Sequence, residues 1–125
     1  MSDLTDNIRV KRIYDPVEAE DGARVLVDRL WPRGVSKQAA GLSLWLKDIA
    51  PSTELRQWFD HDPARWHEFG RRYRTELHHN DEAVEQLRDI LRLGRTTLLY
   101  GAHDTAHNHA LILANYMRDH LGGGR

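Results

Sequence analysis

The chain has 125 residues, 40% of them hydrophobic and 30% charged, with a formal net charge of −1 when the histidines are neutral. That length suits one domain, and no apolar run approaches the roughly 18 residues of a membrane span. With no cysteine present, disulfides, thiolate metal sites, iron–sulfur clusters and a cysteine nucleophile are excluded, and no overall positive field draws the chain to nucleic acid.

Residues 1–7 are polar and are expected to be disordered, and the opening "MSDLTDNIRV" lacks the charged and apolar regions of a signal peptide. Together with the missing cysteines, this points to a cytoplasmic location. "IRVKRIY" (8–14) alternates as a strand does, with Ile8 and Val10 on one face. Pro16 and the "EDG" at 20–22 mark a turn. "RVLVDRL" (24–30) is the clearest early strand, and its apolar centre, Val25-Leu26-Val27, suits a strand covered on both faces. Pro32 and Gly34 break the chain, and Ser36 can cap one short helical turn. "LSLWLKDI" (42–49) fits a strand by the alternation of Leu42, Leu44 and Leu46 and fits a helix by composition; Pro51 ends it.

Ser52 or Thr53 then caps a helix in which Leu55, Trp58 and Phe59 fall at helical spacing. Asp62 is an N-cap with Pro63 in the first helical position, and Trp66, Phe69, Tyr73 and Leu77 recur as one buried stripe. A further helix spans about 81–93, with Val84, Leu87, Ile90 and Leu91 inward and Gly94 in place to end it. "TTLLYGA" (96–102) is the second buried strand. After it Ala106, Ala110, Ala114, Met117 and Leu121 trace one helix face, and "GGGR" (122–125) is a flexible tail. The order predicts an α/β fold over 8–121: a single small domain with a mostly parallel sheet of three or four strands flanked by helices.

Ligands in such sheets bind at the carboxyl ends of the strands. If the strands at 24–30 and 96–102 are parallel neighbours, "DRLWPRG" and "AHDTAHNHA" meet there. In the first segment Arg29 and Arg33 flank Trp31 and Pro32, and two guanidinium forks suit an oxyanion. Asp28 can orient an arginine or move a proton; the bland alternative pairs it with Arg29, buries Trp31 and leaves Arg33 in water. In the second segment Gly101 permits a close backbone approach. Asp104 or Thr105 can cap the following helix, whose free N–H groups suit an anion; the single glycine and missing lysine rule out a P-loop. His107 is the candidate general acid or base. Asn108 either bonds a ligand or braces the loop; in the bland alternative His103 lies in the loop, His107 bonds a neighbouring backbone group and His109 points away. His103 and His107, with Asp104 or Asp28, form the metal alternative, short of any established metal motif; no cofactor is expected. Arg65, Arg71, Arg72 and Arg74 outnumber Glu68 and Glu76, which reads as a solvated helix face, with nucleic-acid contact the lesser alternative. Apolar surface around Trp31 or Trp45 suits a contact between two copies equally well.

Taken together, "VLVDRLWPRGVSK", "WLKDIAPSTELRQWF", "HDPARW" and "LLYGAHDTAHNHALIL" resemble the YeaO-like family, a branch of domain-of-unknown-function family four-eighty-eight, over about residues 8–118. The family is bacterial and archaeal, with no established activity. The resemblance implies Asp28, Arg29, Arg33, His107 and Asn108 as the pattern residues, with His103 a poorer match. Longer relatives in the wider family end the strand in a cysteine and follow it with a segment like "CHR"; Tyr100 and Asn108-His109 stand at those places here, which removes any thiol chemistry.

Two functions follow as expectations. In the first, the chain holds a small anion, phosphate or nucleotide-like, with Arg29, Arg33, Gly101 and Asn108, and catalyses with Asp28 and His107 as acid and base. In the second it is a non-catalytic binding or regulatory module, either a sensor of a small anion or a nucleic-acid-associated regulator. Convergence of Asp28, Arg33 and His107 around one concave pocket favours the enzyme; their dispersal, with Arg65, Arg72 and Arg33 on one open face, favours nucleic acid.

Overall fold

The computed structural model describes residues 7–121. The expected disorder at 1–7 and the expected flexible tail at 122–125 fall outside the described residues, apart from Asn7, which is half-buried. Four strands form one sheet: β1 (Ile8–Arg12), β2 (Ala23–Leu26), β3 (Leu44–Trp45) and β4 (Thr96–Tyr100). The order is β1-β4-β2-β3 and every pairing is parallel. The α/β reading holds.

All five residues of β4 are buried, as a central strand covered on both faces requires. Alternation sorts the sheet's side chains. Val25, Val27, Leu98 and Tyr100 join the main core under the helices, whereas Leu26 and Leu99 join Ile13 and Ala40 on the other side. That second face is closed by the short helix α1 (Lys37–Ala40), which Ser36 caps by accepting the Ala39 N–H. The main core is covered by α2 (Thr53–Phe59), α3 (Trp66–His78), α4 (Asp81–Leu93) and α5 (His109–Leu121). Phe69, Tyr73 and Leu77 are buried along α3 as their spacing predicts, and α5 packs against α3 and β1.

The segment 42–49 is both of its alternatives in turn. Leu44–Trp45 pair with β2, and Lys47–Ile49 then form one 3-10 turn. The two predicted long strands stop early, β2 at Leu26 and β4 at Tyr100, so that "DRL" and "GA" belong to loops, although Val27 still donates its N–H to Leu99.

The last helix begins later than its alanine pattern suggests. Asp104 does not cap it. Its Oδ1 accepts the N–H groups of Ala106 at 2.8 Å and His107 at 3.0 Å, closing a local turn that competes with helix formation. Asn108 is the cap instead, with Oδ1 accepting the Leu111 N–H at 3.2 Å. Ala106 is therefore an exposed loop residue, and His103 and His107 do not share a helix face.

Candidate functional site

The register sets the site. Leu26 lies opposite Leu99, so two residues further on Asp28 stands beside Gly101. The loops that leave β2 and β4 open a cavity of about 540 Å³, completed by the turn before α2, by Arg56 and Phe59 of α2 and by Phe69 of α3. Asp28, Arg29, Arg33, Gly101, His107 and Asn108 all line it, as does His103. The two segments meet as the conditional argument from parallel strands requires.

Asp28 forms the floor. Its Oδ2 accepts the Gly101 N–H at 2.9 Å. A Cβ on residue 101 would stand 3.1 Å from that oxygen, so glycine serves a close approach here. The Gly101 N–H is thereby taken by Asp28. The other oxygen, Oδ1, is buried and has no hydrogen bond among the described residues. It lies 3.3 Å from His109 Nε2, but that nitrogen is 2.9 Å from the Val27 carbonyl. A carbonyl only accepts, so Nε2 carries the proton and points at Val27, and its contact with Oδ1 is electrostatic. Burial pushes the Asp28 carboxyl above its usual range, against the opposing pull of His109, the Gly101 N–H and Arg56.

His109 thus turns into the site rather than away from it. It also meets the edge of Tyr73, ring centroids 6.0 Å apart. Nothing local in "HNHA" marks it, because its partners lie on a strand end far away in sequence.

His107 takes a different partner from Asp28. Its Nδ1 lies 3.0 Å from Asp104 Oδ2, and Trp66 meets its ring edge-on at 5.3 Å. The Ala106 N–H first, and His107 after it, hold the Asp104 carboxyl below its usual range. An ionised carboxylate only accepts, so His107 carries its proton on Nδ1 and leaves Nε2 as the open nitrogen. Asn108 is 2% exposed. Its Nδ2 donates to the Asp104 carbonyl and its Oδ1 caps α5, so its amide braces the loop. His103 sits at the rim with Nδ1 3.5 Å from Arg12 Nη2. Among the described residues, no group of three or more potential metal ligands converges.

The arginines divide. Arg29 is not paired with Asp28: it donates to the carbonyls of Ala50 at 3.1 Å and Pro51 at 3.2 Å, pinning the turn before α2. Arg33 is exposed and makes no hydrogen bond or ion pair through its guanidinium among the described residues; its backbone is fixed by Tyr14, whose hydroxyl donates to the Arg33 carbonyl at 2.8 Å. Trp31 and Trp45 pack edge to face and donate to the carbonyls of Val35 and Asp28, both at 2.7 Å, so both indoles hold this loop in shape.

Two lining residues carry no signal in the sequence. Arg56 projects from α2 with its guanidinium free of partners among the described residues. His61 follows Asp60 in the left-handed region, φ 54° after φ 49°. Capping explains Asp60, which ends α2, but not His61. The basic face of α3 is largely self-neutralised: Arg71 and Arg72 share Glu68 at 2.6 and 2.7 Å.

The family model described as "Inactive DUF488-N3 subclade" matches residues 7–123. The chain is 46% identical over 112 residues to "Uncharacterized protein YeaO" of Escherichia coli (strain K12), covering 90% of this chain and 97% of that one. It is 41% identical over 110 residues to "Uncharacterized protein Rv3073c" of Mycobacterium tuberculosis (strain ATCC 25618 / H37Rv), covering 88% of this chain and 92% of the relative. No solved structure matches. The chain belongs to the YeaO-like branch of the DUF488 family, within the subclade that the matching model describes.

Proposed function

We propose that this protein binds a small anion in the cavity at the carboxyl ends of β2 and β4 and breaks no bond there. The observation that carries the reading is that Arg33 and Arg56, whose guanidiniums make no hydrogen bond or ion pair among the described residues, face one cavity whose floor and walls are fixed by hydrogen bonds. A guanidinium without a carboxylate offers its full fork of donors to an oxyanion, and the free edge of Arg29 adds to it. Three arginines outnumber two aspartates among the lining residues, so the cavity is net positive before any histidine protonates. The absence of catalysis is supported by the word "Inactive" in the family description and by a lining without serine, threonine or cysteine among the described residues.

A second reading, general base catalysis, rests on one observation: Asp104 orients His107 so that Nε2 is its open nitrogen. Asp28 and His107 do not act as a pair in it, since each has its own partner.

A thermal-shift screen at low salt tests the first reading, with wild type and Arg33→Ala against phosphate, sulfate, carboxylates and nucleotides. An anion at about 100 times its dissociation constant adds roughly 2.7 kcal/mol, a shift of several degrees. A shift in wild type that Arg33→Ala loses supports the site. No shift with any anion removes it. Hydrolysis of a bound phosphate ester, abolished by His107→Ala, would favour the second reading.

A further inference from the structure

We propose that the anion is carried on a flat aromatic body, so that the cavity prefers a phosphate monoester bearing an aromatic ring over inorganic phosphate or a sugar phosphate. This rests on the small-anion reading and names its ligand class.

A volume of about 540 Å³ is far more than a bare phosphate needs and falls in the range of sites for whole small molecules. Much of the wall beyond the cations is apolar. The loop after β2 contributes Leu30, Trp31 and Pro32; the turn and helix opposite in sequence contribute Pro51 and Phe59; α3 contributes Phe69. The rings of Phe59 and Phe69 stack with centroids 4.1 Å apart, and His61 sits 6.4 Å from Phe59. Leu30 is 61% exposed at this cavity, between Arg29 and the arm carrying Arg33. It serves neither hydrophobic core of the fold.

The polar groups of the lining decide against a sugar. Asn108 is the one neutral hydrogen-bonding amide among the described lining residues, and both its ends are tied to backbone. Asp104 is engaged with the loop and His107, and Asp28 Oδ2 with Gly101, which leaves the buried Asp28 Oδ1 as the one carboxylate oxygen of the lining without a hydrogen bond among the described residues. A body rich in hydroxyls would lose its water and find few partners, which disfavours it. A flat ring loses little and gains apolar contact beside cations that also favour aromatic faces.

The experiment is calorimetric titration of the full chain at low salt with inorganic phosphate, ribose 5-phosphate, phenyl phosphate and adenosine 5′-monophosphate. Phenyl phosphate should bind at least about tenfold tighter than inorganic phosphate or ribose 5-phosphate. Leu30→Ala, a substitution at an exposed position, should shrink that gap by weakening phenyl phosphate, with the melting temperature unchanged. Adenosine 5′-monophosphate tighter than ribose 5-phosphate by a similar factor would identify a nucleobase as the aromatic body; the nucleotide no better than ribose 5-phosphate, with phenyl phosphate still tight, would identify a simple aryl phosphate. Equal affinity for all four ligands, lost together in Arg33→Ala, would overturn the aromatic preference while leaving the small-anion site standing. A gap that Leu30→Ala does not change would also overturn it. Binding of none of the four would overturn both.

Discussion

His109 turns from the first position of α5 back to Asp28 in the loop after β2, its Nε2 3.3 Å from Oδ1. It is the nearest charge-capable side chain to an oxygen that has no hydrogen bond among the described residues. Burial already pushes that carboxyl upward, so losing His109 leaves an unpartnered buried charge. His109→Ala should lose about 2–4 kcal/mol of stability at pH 7. Adding Asp28→Asn in the same chain should restore at least about 1 kcal/mol, because the charge is gone and the amide oxygen still accepts from Gly101. Urea unfolding of the two single variants and the double variant measures this. A double variant no more stable than His109→Ala would show that the histidine matters only as packing.

Gly101 is fixed by space, not by an unusual φ. A Cβ there meets Asp28 Oδ2 at 3.1 Å and Pro32 Cβ at 3.8 Å, so the carboxylate must move from the N–H it accepts. Gly101→Ala should cost about 1 kcal/mol and weaken anion binding by displacing the loop. Unchanged stability by chemical denaturation would mean that Asp28 shifts freely.

His61 holds a left-handed backbone at the cavity wall. For a residue with a Cβ that conformation costs about 1 kcal/mol, which glycine does not incur. His61→Gly should therefore raise stability by up to about 1 kcal/mol while weakening anion binding. Strain kept at a cavity wall fits the proposed binding role. A variant with higher stability and undiminished affinity would mark the strain as incidental.

At the opposite end of the sheet, Asp21 is fully buried and bonded to Lys11 at 2.8 Å and Arg24 at 2.6 Å. Burial alone would raise its carboxyl, but the Lys11 hydrogen bond, the Glu18 N–H and Arg24 outweigh that and hold it at about 2, against 3.8 unperturbed. A lowered carboxyl stabilises the fold above its unfolded value and loses that contribution as pH falls through the folded one. The contribution is about 2 kcal/mol, complete above pH 4 and lost between pH 4 and 2. Asp21→Asn should lose at least about 2 kcal/mol at neutral pH and show a flatter decline in acid. Parallel pH profiles for the two proteins would contradict the assignment.

Much of the site's location is legible in the chain because it follows from the sheet. Two apolar triplets, Val25–Val27 and Leu98–Tyr100, signal buried parallel strands, and polar residues directly after them signal the carboxyl ends. The partnerships are not legible. Asp28 accepts from Gly101 and faces His109, both reached only through the register between β2 and β4. The alanine pattern from Ala106 places the helix start too early, since a local turn made by Asp104 outcompetes the helix. Arg56 looks like any solvated position on α2, and its role depends on where the Pro51 turn aims that helix. Arg29 has the composition of an anion ligand, yet two of its donors go to carbonyls that composition cannot reveal.

In the proposed mode of binding an anion sits between the loops after β2 and β4 and the side of α2 that carries Arg56. Amide chemical-shift mapping of the ¹⁵N-labelled protein during titration with inorganic phosphate at low salt tests it directly. Saturable shifts are expected only at residues around Leu30–Gly34, Arg56–His61 and Gly101–His109, and are lost in Arg33→Ala. Shifts that instead follow Arg65, Arg71 and Arg72 on α3, or no shifts at all, would contradict it.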